Sequence, residues 1–263
     1  MLNSAERLLQ NTEIKKLLDE YAQKYDTIDF IKNDPSKFVH IYKNQSDTEI
    51  AGFIASMFAY GKRELFINLL DSFLKPDFNL TDYVKNFDPK SVPDFNYRFS
   101  KTIDFTQILL ILQNLLNQNQ SLCDLFRYHY TENKTITGML QGVTNYFYSN
   151  ITLDVTQGFY HLLPNPSKGG AMKRMNMMLR WFVRKSPVDV GIWNFIDKSE
   201  LIIPLDVHVG NISREIGLLS RKNNDMKSAL EITNHLKNFD PEDPVKYDFA
   251  LFGIGVNKDF VKP

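Results

Sequence analysis

What most limits this chain is the spacing of its apolar residues. They recur three and four apart from one end to the other, and no stretch alternates apolar with polar for long enough to make a convincing strand. A period near 3.6 marks helices that bury one face, and a period of 2 marks half-buried strands. The spacing therefore predicts an all-α protein of about ten or more helices, each burying its apolar stripe against others. Hydrophobic residues at 43% and aromatics at 13% supply enough core, so wholesale disorder is not expected. At 263 residues the chain is one large domain or two modest ones, without an internal repeat or low-complexity tract.

In chain order, residues 4–25 read as an amphipathic helix through Leu8, Leu9, Ile14, Leu17, Leu18, Tyr21 and Tyr25. Asp34-Pro35-Ser36 is a break and a new helix start. Ser46 and Glu49 fit a capping box for a helix over 50–60, ended by Gly61, whose small face (Ala51, Gly52, Ala55, Ser56) permits close packing. Lys62 begins a helix to Phe73; Lys62 and Arg63, beside a glycine at a helix junction, meet phosphate or form a solvated turn. Residues 75–101 read as short helices in loops, and 104–117 as a helix with Asp104 as its cap. Helices follow over 122–130 and 136–149, and 157–166 reads as a loop. A helix runs from Gly170 to about Arg184, then a short one over 189–195. Asp206 caps a helix to Leu218, Asn224 and Asp225 start one to about Lys237, and Pro244 opens a last one to Ile254.

The 31 basic and 31 acidic residues cancel, which argues against a nonspecific nucleic-acid coat but leaves room for local patches. Between Asp154 and Asp189 there is no acid, while Lys168, Lys173, Arg174, Arg180, Arg184 and Lys185 all fall there; this is a candidate anion-binding face. Cys123 is the one cysteine, so an intrachain disulfide, a four-cysteine iron–sulfur cluster and a cysteine-rich zinc site are excluded. The expected location is the cytoplasm: the first residues lack a signal-peptide pattern, and no apolar run reaches the roughly 18 residues of a membrane span. Within the basic interval, Lys168, Gly169, Gly170 and the first amides of the next helix form a natural phosphate cradle, because those N–H groups lack intrahelical partners and glycine lets a ligand come close.

Gly169-Gly170-Ala171-Met172-Lys173-Arg174-Met175-Asn176 resembles the hairpin of the helix-hairpin-helix, endonuclease III-like DNA glycosylases. Pro204-Leu205-Asp206-Val207-His208-Val209 is similar to the motif that carries that superfamily's catalytic aspartate, and 240–252 to its closing helix. The similarity extends over nearly the whole chain, toward a bacterial branch without settled function. Ala171 replaces the hairpin's second glycine, no cysteine cluster follows Asp206, and Lys173 and Asp206 lie 206 − 173 = 33 apart, closer to the archaeal 8-oxoguanine glycosylases.

The resemblance implies a two-domain fold with a cleft between the domains. A helical barrel of 47–195 would end in the hairpin region, and a second domain would combine 1–46 with 196–263. It implies Lys173 and Asp206 as catalytic residues, with Lys168 the rival nucleophile. Lys168, Gly169, Gly170, Arg174, Lys62 and Arg63 would hold phosphates, and Tyr60, Phe58, Trp181, Trp193 and His208 are base-pocket candidates. The expected partner is double-stranded DNA with a damaged base, first an oxidised purine such as 8-oxoguanine, met by a monomer at the nucleoid. No cofactor is required and no iron–sulfur cluster is expected; a monovalent cation at the hairpin carbonyls is compatible with the family. From residues alone, Asp206 reads first as a plain helix cap and Lys173 equally as a phosphate contact; the alternatives are a DNA-binding member that lost the chemistry and a structural or partner-binding helical protein.

Overall fold

The computed structural model describes residues 4–92, 94 and 96–257, with side chains from residue 11 on, so Leu8 and Leu9 lie outside the described side chains. The described residues form twelve α-helices and several 3-10 turns, as the spacing predicts, and one two-stranded hairpin that it does not. Among them no helix is long and apolar enough to cross a membrane.

The first helix, α1 (Ser4–Tyr25), packs on the last, α12 (Asp248–Asn257). They meet closely: a Cβ on Gly253 would stand 2.3 Å from the Tyr25 ring. Asp34 accepts from the Ser36 amide at 3.0 Å and starts the 3-10 turn Pro35–His40, which lies against α2 (Gln45–Phe58). The cap of α2 is Asn44, which accepts from Asp47 N at 2.8 Å, and not the Ser46–Glu49 box. Glu49 turns into the core instead, where its carboxylate takes Trp193 Nε1 at 3.0 Å, the Cys123 amide at 3.2 Å and Gln45 Nε2 at 2.7 Å. Burial pushes this carboxyl above the usual range despite those three donors. Replacing Glu49 by Leu leaves the indole and the amide buried without acceptors, so urea denaturation is expected to show a loss of about 2–4 kcal/mol; an unchanged midpoint would mean that the hub contributes nothing.

The small face of α2 works as expected. It packs on α9 (Lys173–Val183), and a Cβ on Gly52 would lie 2.5 Å from Phe182 Cζ. Next come α3 (Arg63–Phe73) and α4 (Leu80–Lys85), and then the hairpin β1 (Asn96–Tyr97) and β2 (Ser100–Lys101). The helix α5 (Thr102–Asn117) starts at Lys101, with Asp104 three residues inside it accepting the Lys101 amide at 2.9 Å. Together α6 (Leu122–Asn133) and α7 (Ile136–Ser149) make a close pair, Gly142 giving room to the His129 ring.

Besides the Ser46–Glu49 box and the Asp104 cap, two further expectations need correcting. Gln157–Leu162 is a short helix, α8, capped by the Thr156 hydroxyl, and not a loop. Residues 189–195 form no helix: Val190 bridges to Lys185, and Val190, Gly191 and Trp193 donate to carbonyls at the end of α9. That arrangement places Asp189 against α9 from outside. The chain then runs buried through 201–205 into α10 (Val207–Glu215) and α11 (Met226–Lys237), and α10 packs on α12.

Candidate functional site

Two N-caps bring the predicted pair together. Asp206 ends an extended buried run and accepts from Val209 N at 2.9 Å, so it is the cap that the sequence predicts for α10. Its Oδ2 carries no cap bond. Asn224 Nδ2 donates to the Asp206 carbonyl at 3.2 Å and fixes that turn from α11's side. Lys173 is the first residue of α9. The chain reaches it through two left-handed residues, Gly169 (φ 77) and Met172 (φ 52), and Asn176 Nδ2 ties back to the Ala171 carbonyl at 3.0 Å. A glycine tolerates that backbone freely; Met172 adopts it at a cost.

Lys173 and Asp206 line one cleft of about 700 Å³, a size suited to a small ligand or one extruded group. Among the described residues no carboxylate pairs with the Lys173 amine. Tyr60, Arg63, Arg174 and His208 also line the cleft. His208 sits against α12, its Nδ1 3.2 Å from the Gly255 carbonyl oxygen. Arg63 lies over the Phe252 ring at 5.2 Å, whereas Lys62 is exposed outside the lining. Lys168, Gly169 and Gly170 are exposed outside the lining, and nothing would crowd a Cβ on either glycine; the Gly169 amide donates to the Pro166 carbonyl at 2.9 Å and its carbonyl accepts from Met226 N at 3.0 Å. Across a backbone bridge from Gly170 lies Asp225, whose carboxylate Arg221 holds down to about 2. Among the described residues no group of three His, Cys, Asp or Glu side chains could hold a metal ion.

Several sequence expectations fall to burial. The acid-free interval does not make a basic face, because its arginines point inward. Arg180 pairs with Asp189 at 3.1 Å and with Asp248; Arg184 pairs with Asp189 at 2.8 Å, Asp243 at 2.9 Å and Asp26 at 3.3 Å. Arg174 donates to the Met57 carbonyl at 2.5 Å and to the His161 carbonyl, and its guanidinium lies 5.1 Å from the Tyr60 ring. Burial pulls its pKa down to about 10, so it holds a wall in place while adding positive potential to the cleft. Phe58 is buried between Tyr97 and Phe105, and Trp193 between Phe126 and Phe182 with its N–H on Glu49; neither is free to stack on a base. Trp181 is fully buried as well, although it edges a recess adjoining the cleft.

That recess, of about 20 Å³, adds two residues that the sequence reading missed. Asp34 and Asp248 line it with Lys173, Arg180 and Asp206. Burial pushes Asp248 up to about 6 against the pull of Arg180; the Asp206 charge adds to the rise and Lys173 opposes it. An acid raised in the fold binds its proton more tightly there than unfolded, so its stabilising share is present below about 4 and is lost as pH rises to about 6. Asp248→Asn is therefore expected to flatten the fall in unfolding free energy between pH 4 and 6 relative to the parent chain, as read from urea titrations; parallel curves would rule out this ionisation. The signals were a carboxylate inside the apolar run Tyr247–Leu251, and the Asp-Pro-Ser turn.

Fold and cleft define the class: an all-helical protein with an amine and a carboxylate, each at the start of its own helix, facing one another's cleft. Residues 34–257 match the family described as protein of unknown function DUF2400, and the chain belongs to that family. No curated protein and no solved structure matches it.

Proposed function

We propose that this chain is a DNA glycosylase that excises a damaged base, with AP lyase activity through Lys173. The observation that carries the reading is that Lys173 and Asp206, 33 residues apart, line one cleft, with the exposed Gly169-Gly170 segment leading into the helix that Lys173 opens. Cleaving an N-glycosidic bond develops positive charge on the sugar, and a carboxylate in the cleft, Asp206, would stabilise that charge. The neutral Lys173 amine can attack C1′ and displace the base, which leaves with a proton. Opening of the C1′–O4′ bond, with a proton passing from nitrogen to O4′, gives the Schiff base, and loss of a C2′ proton then expels the 3′ phosphate by β-elimination. The exposed Gly169 and Gly170 backbone, with Lys168 beside it, is the proposed phosphate contact, and Arg63 lies at the cleft wall. Tyr60 and His208 remain as pocket candidates for the extruded base.

The proposed architecture is a barrel of 47–195 and a second domain of 1–46 with 196–263, the cleft running between them. The chain would act as a monomer on double-stranded DNA at the nucleoid in the cytoplasm, with no cofactor required and at most a monovalent cation at the hairpin. An 8-oxoguanine duplex is the first substrate to try because of the spacing. Base release is assayed on a panel of lesion duplexes, 8-oxoguanine first. Release from one lesion supports the reading. Salt-dependent binding of every duplex without release favours the non-catalytic DNA-binding alternative.

A further inference from the structure

A row of rings leaves the cleft at Tyr60 and ends in solvent. The Tyr60 ring lies 4.5 Å from His161, and His161 lies 4.8 Å from Phe99. Phe99 is 57% exposed at the tip of the β1–β2 hairpin, and the Arg98 guanidinium reaches over it at 5.8 Å. Single exposed apolar residues are common and by themselves mean nothing. This one differs in how it is held.

Tyr97 pairs with Ser100, so Arg98 and Phe99 are the two central residues of a tight turn. Arg98 has φ 54, a conformation in which glycine is the residue expected at the first turn position. Strain of this kind persists only where the surroundings impose it. Here they do: Tyr97 Oη donates to the Tyr60 carbonyl, and Tyr60 Oη donates to the Tyr97 carbonyl at 3.1 Å and lies 2.9 Å from Ser100 Oγ. From the other side α8 presses on the turn so closely that a Cβ on Gly158 would meet the Phe99 carbonyl oxygen at 2.2 Å. His161 Nε2 is buried without a partner among the described residues. Burial, then Arg174 and Arg98, lower its pKa, so the middle of the row is uncharged at neutral pH. A rigid aromatic face, an arginine beside it and a lysine (Lys101) two residues on are what a nucleobase and its phosphate require.

We propose that the Arg98–Phe99 turn is a second nucleobase site outside the cleft, where Phe99 stacks an unpaired DNA base while Arg98 contacts its backbone. This rests on the reading of the cleft as a DNA site. The rings of His161 and Tyr60 then join that base to whatever occupies the cleft.

The test is equilibrium binding of a DNA duplex carrying one unpaired 2-aminopurine, beside the same duplex fully paired, at one fixed low salt concentration. The parent chain is expected to bind the bulged duplex about tenfold more tightly and to quench the probe, the size of one base–aromatic stack. Phe99→Ala is expected to lose that preference and Phe99→Trp to keep it. Arg98→Gly suits the turn, so its melting temperature should hold or rise while affinity for the bulge falls. Equal affinities for the bulge in the parent and in Phe99→Ala overturn the proposal and leave the cleft reading standing. A parent chain that binds neither duplex overturns both. A bulge preference lost in Phe99→Ala, in a protein that releases no base from any lesion duplex, supports the site and overturns the glycosylase reading. A tenfold preference for the same bulge in an RNA duplex overturns the assignment to DNA.

Discussion

Asp206→Asn is expected to lower base release about a thousandfold while leaving the fold intact. The substitution separates two jobs that one side chain performs. As a cap, Asp206 needs only an oxygen for the Val209 amide, and Asn supplies one equally well. Its backbone carbonyl, which takes Asn224 Nδ2, is untouched. As a charge, Asn supplies nothing to an electron-poor sugar. Circular dichroism and melting temperature should therefore match the parent while release from the lesion duplex collapses. Asp206→Ala removes the charge and the cap together and is expected to cost about a further 1 kcal/mol of stability. Release by Asp206→Asn at the parent rate would return Asp206 to the plain cap that its residues alone allow.

Asp189→Ala is expected to have the largest effect on stability, about 3–5 kcal/mol in urea denaturation. Asp189 is enclosed by two arginines: Oδ1 accepts from Arg180 and Oδ2 from Arg184. Among the described residues Arg180 would keep its ion pair with Asp248, and Arg184 would keep Asp243 and Asp26 at the edge of the cluster. Removing one carboxylate thus leaves buried positive charge under-compensated, which costs more than the pair itself contributes. The effect should spread to the cleft, because Arg180 also holds Asp248 at the recess beside Lys173 and Asp206. Asp189→Asn, which keeps an acceptor, should cost less than Asp189→Ala. A loss below about 1 kcal/mol for Asp189→Ala would mean that water takes over the carboxylate's role.

The local features of this fold were legible in the residues. Asp206 and Asp225 are N-caps where the sequence places helix starts, and the apolar stripes of α5, α7 and α11 are buried as their spacing predicts. Where a charged side chain was misplaced, a partner distant in sequence helped decide it. Arg180 and Arg184 look like a solvent-facing basic run until Asp248 and Asp243 arrive from 68 and 59 residues away. Glu49 matches a capping box with Ser46, but the indole 144 residues on draws it inward, and Asn44 takes the cap. The β1–β2 hairpin has two residues per strand, too few for any alternation to show. At the site, the hairpin glycines and the Asp206 turn carried Lys173 and Asp206. Asp34 and Asp248 escaped because the fold alone brings them to the same recess.

The central claim is that Lys173 is an amine poised over a DNA sugar, and borohydride trapping tests it most directly. The parent chain is mixed with a duplex carrying the released lesion, or its abasic product, and reduced. A covalent protein–DNA adduct that persists in Lys168→Ala and vanishes in Lys173→Ala is the result expected. Lys173 opens α9, where alanine is an excellent helix former, so loss of the adduct would report the amine and not the fold. An adduct that survives in Lys173→Ala would contradict the assignment.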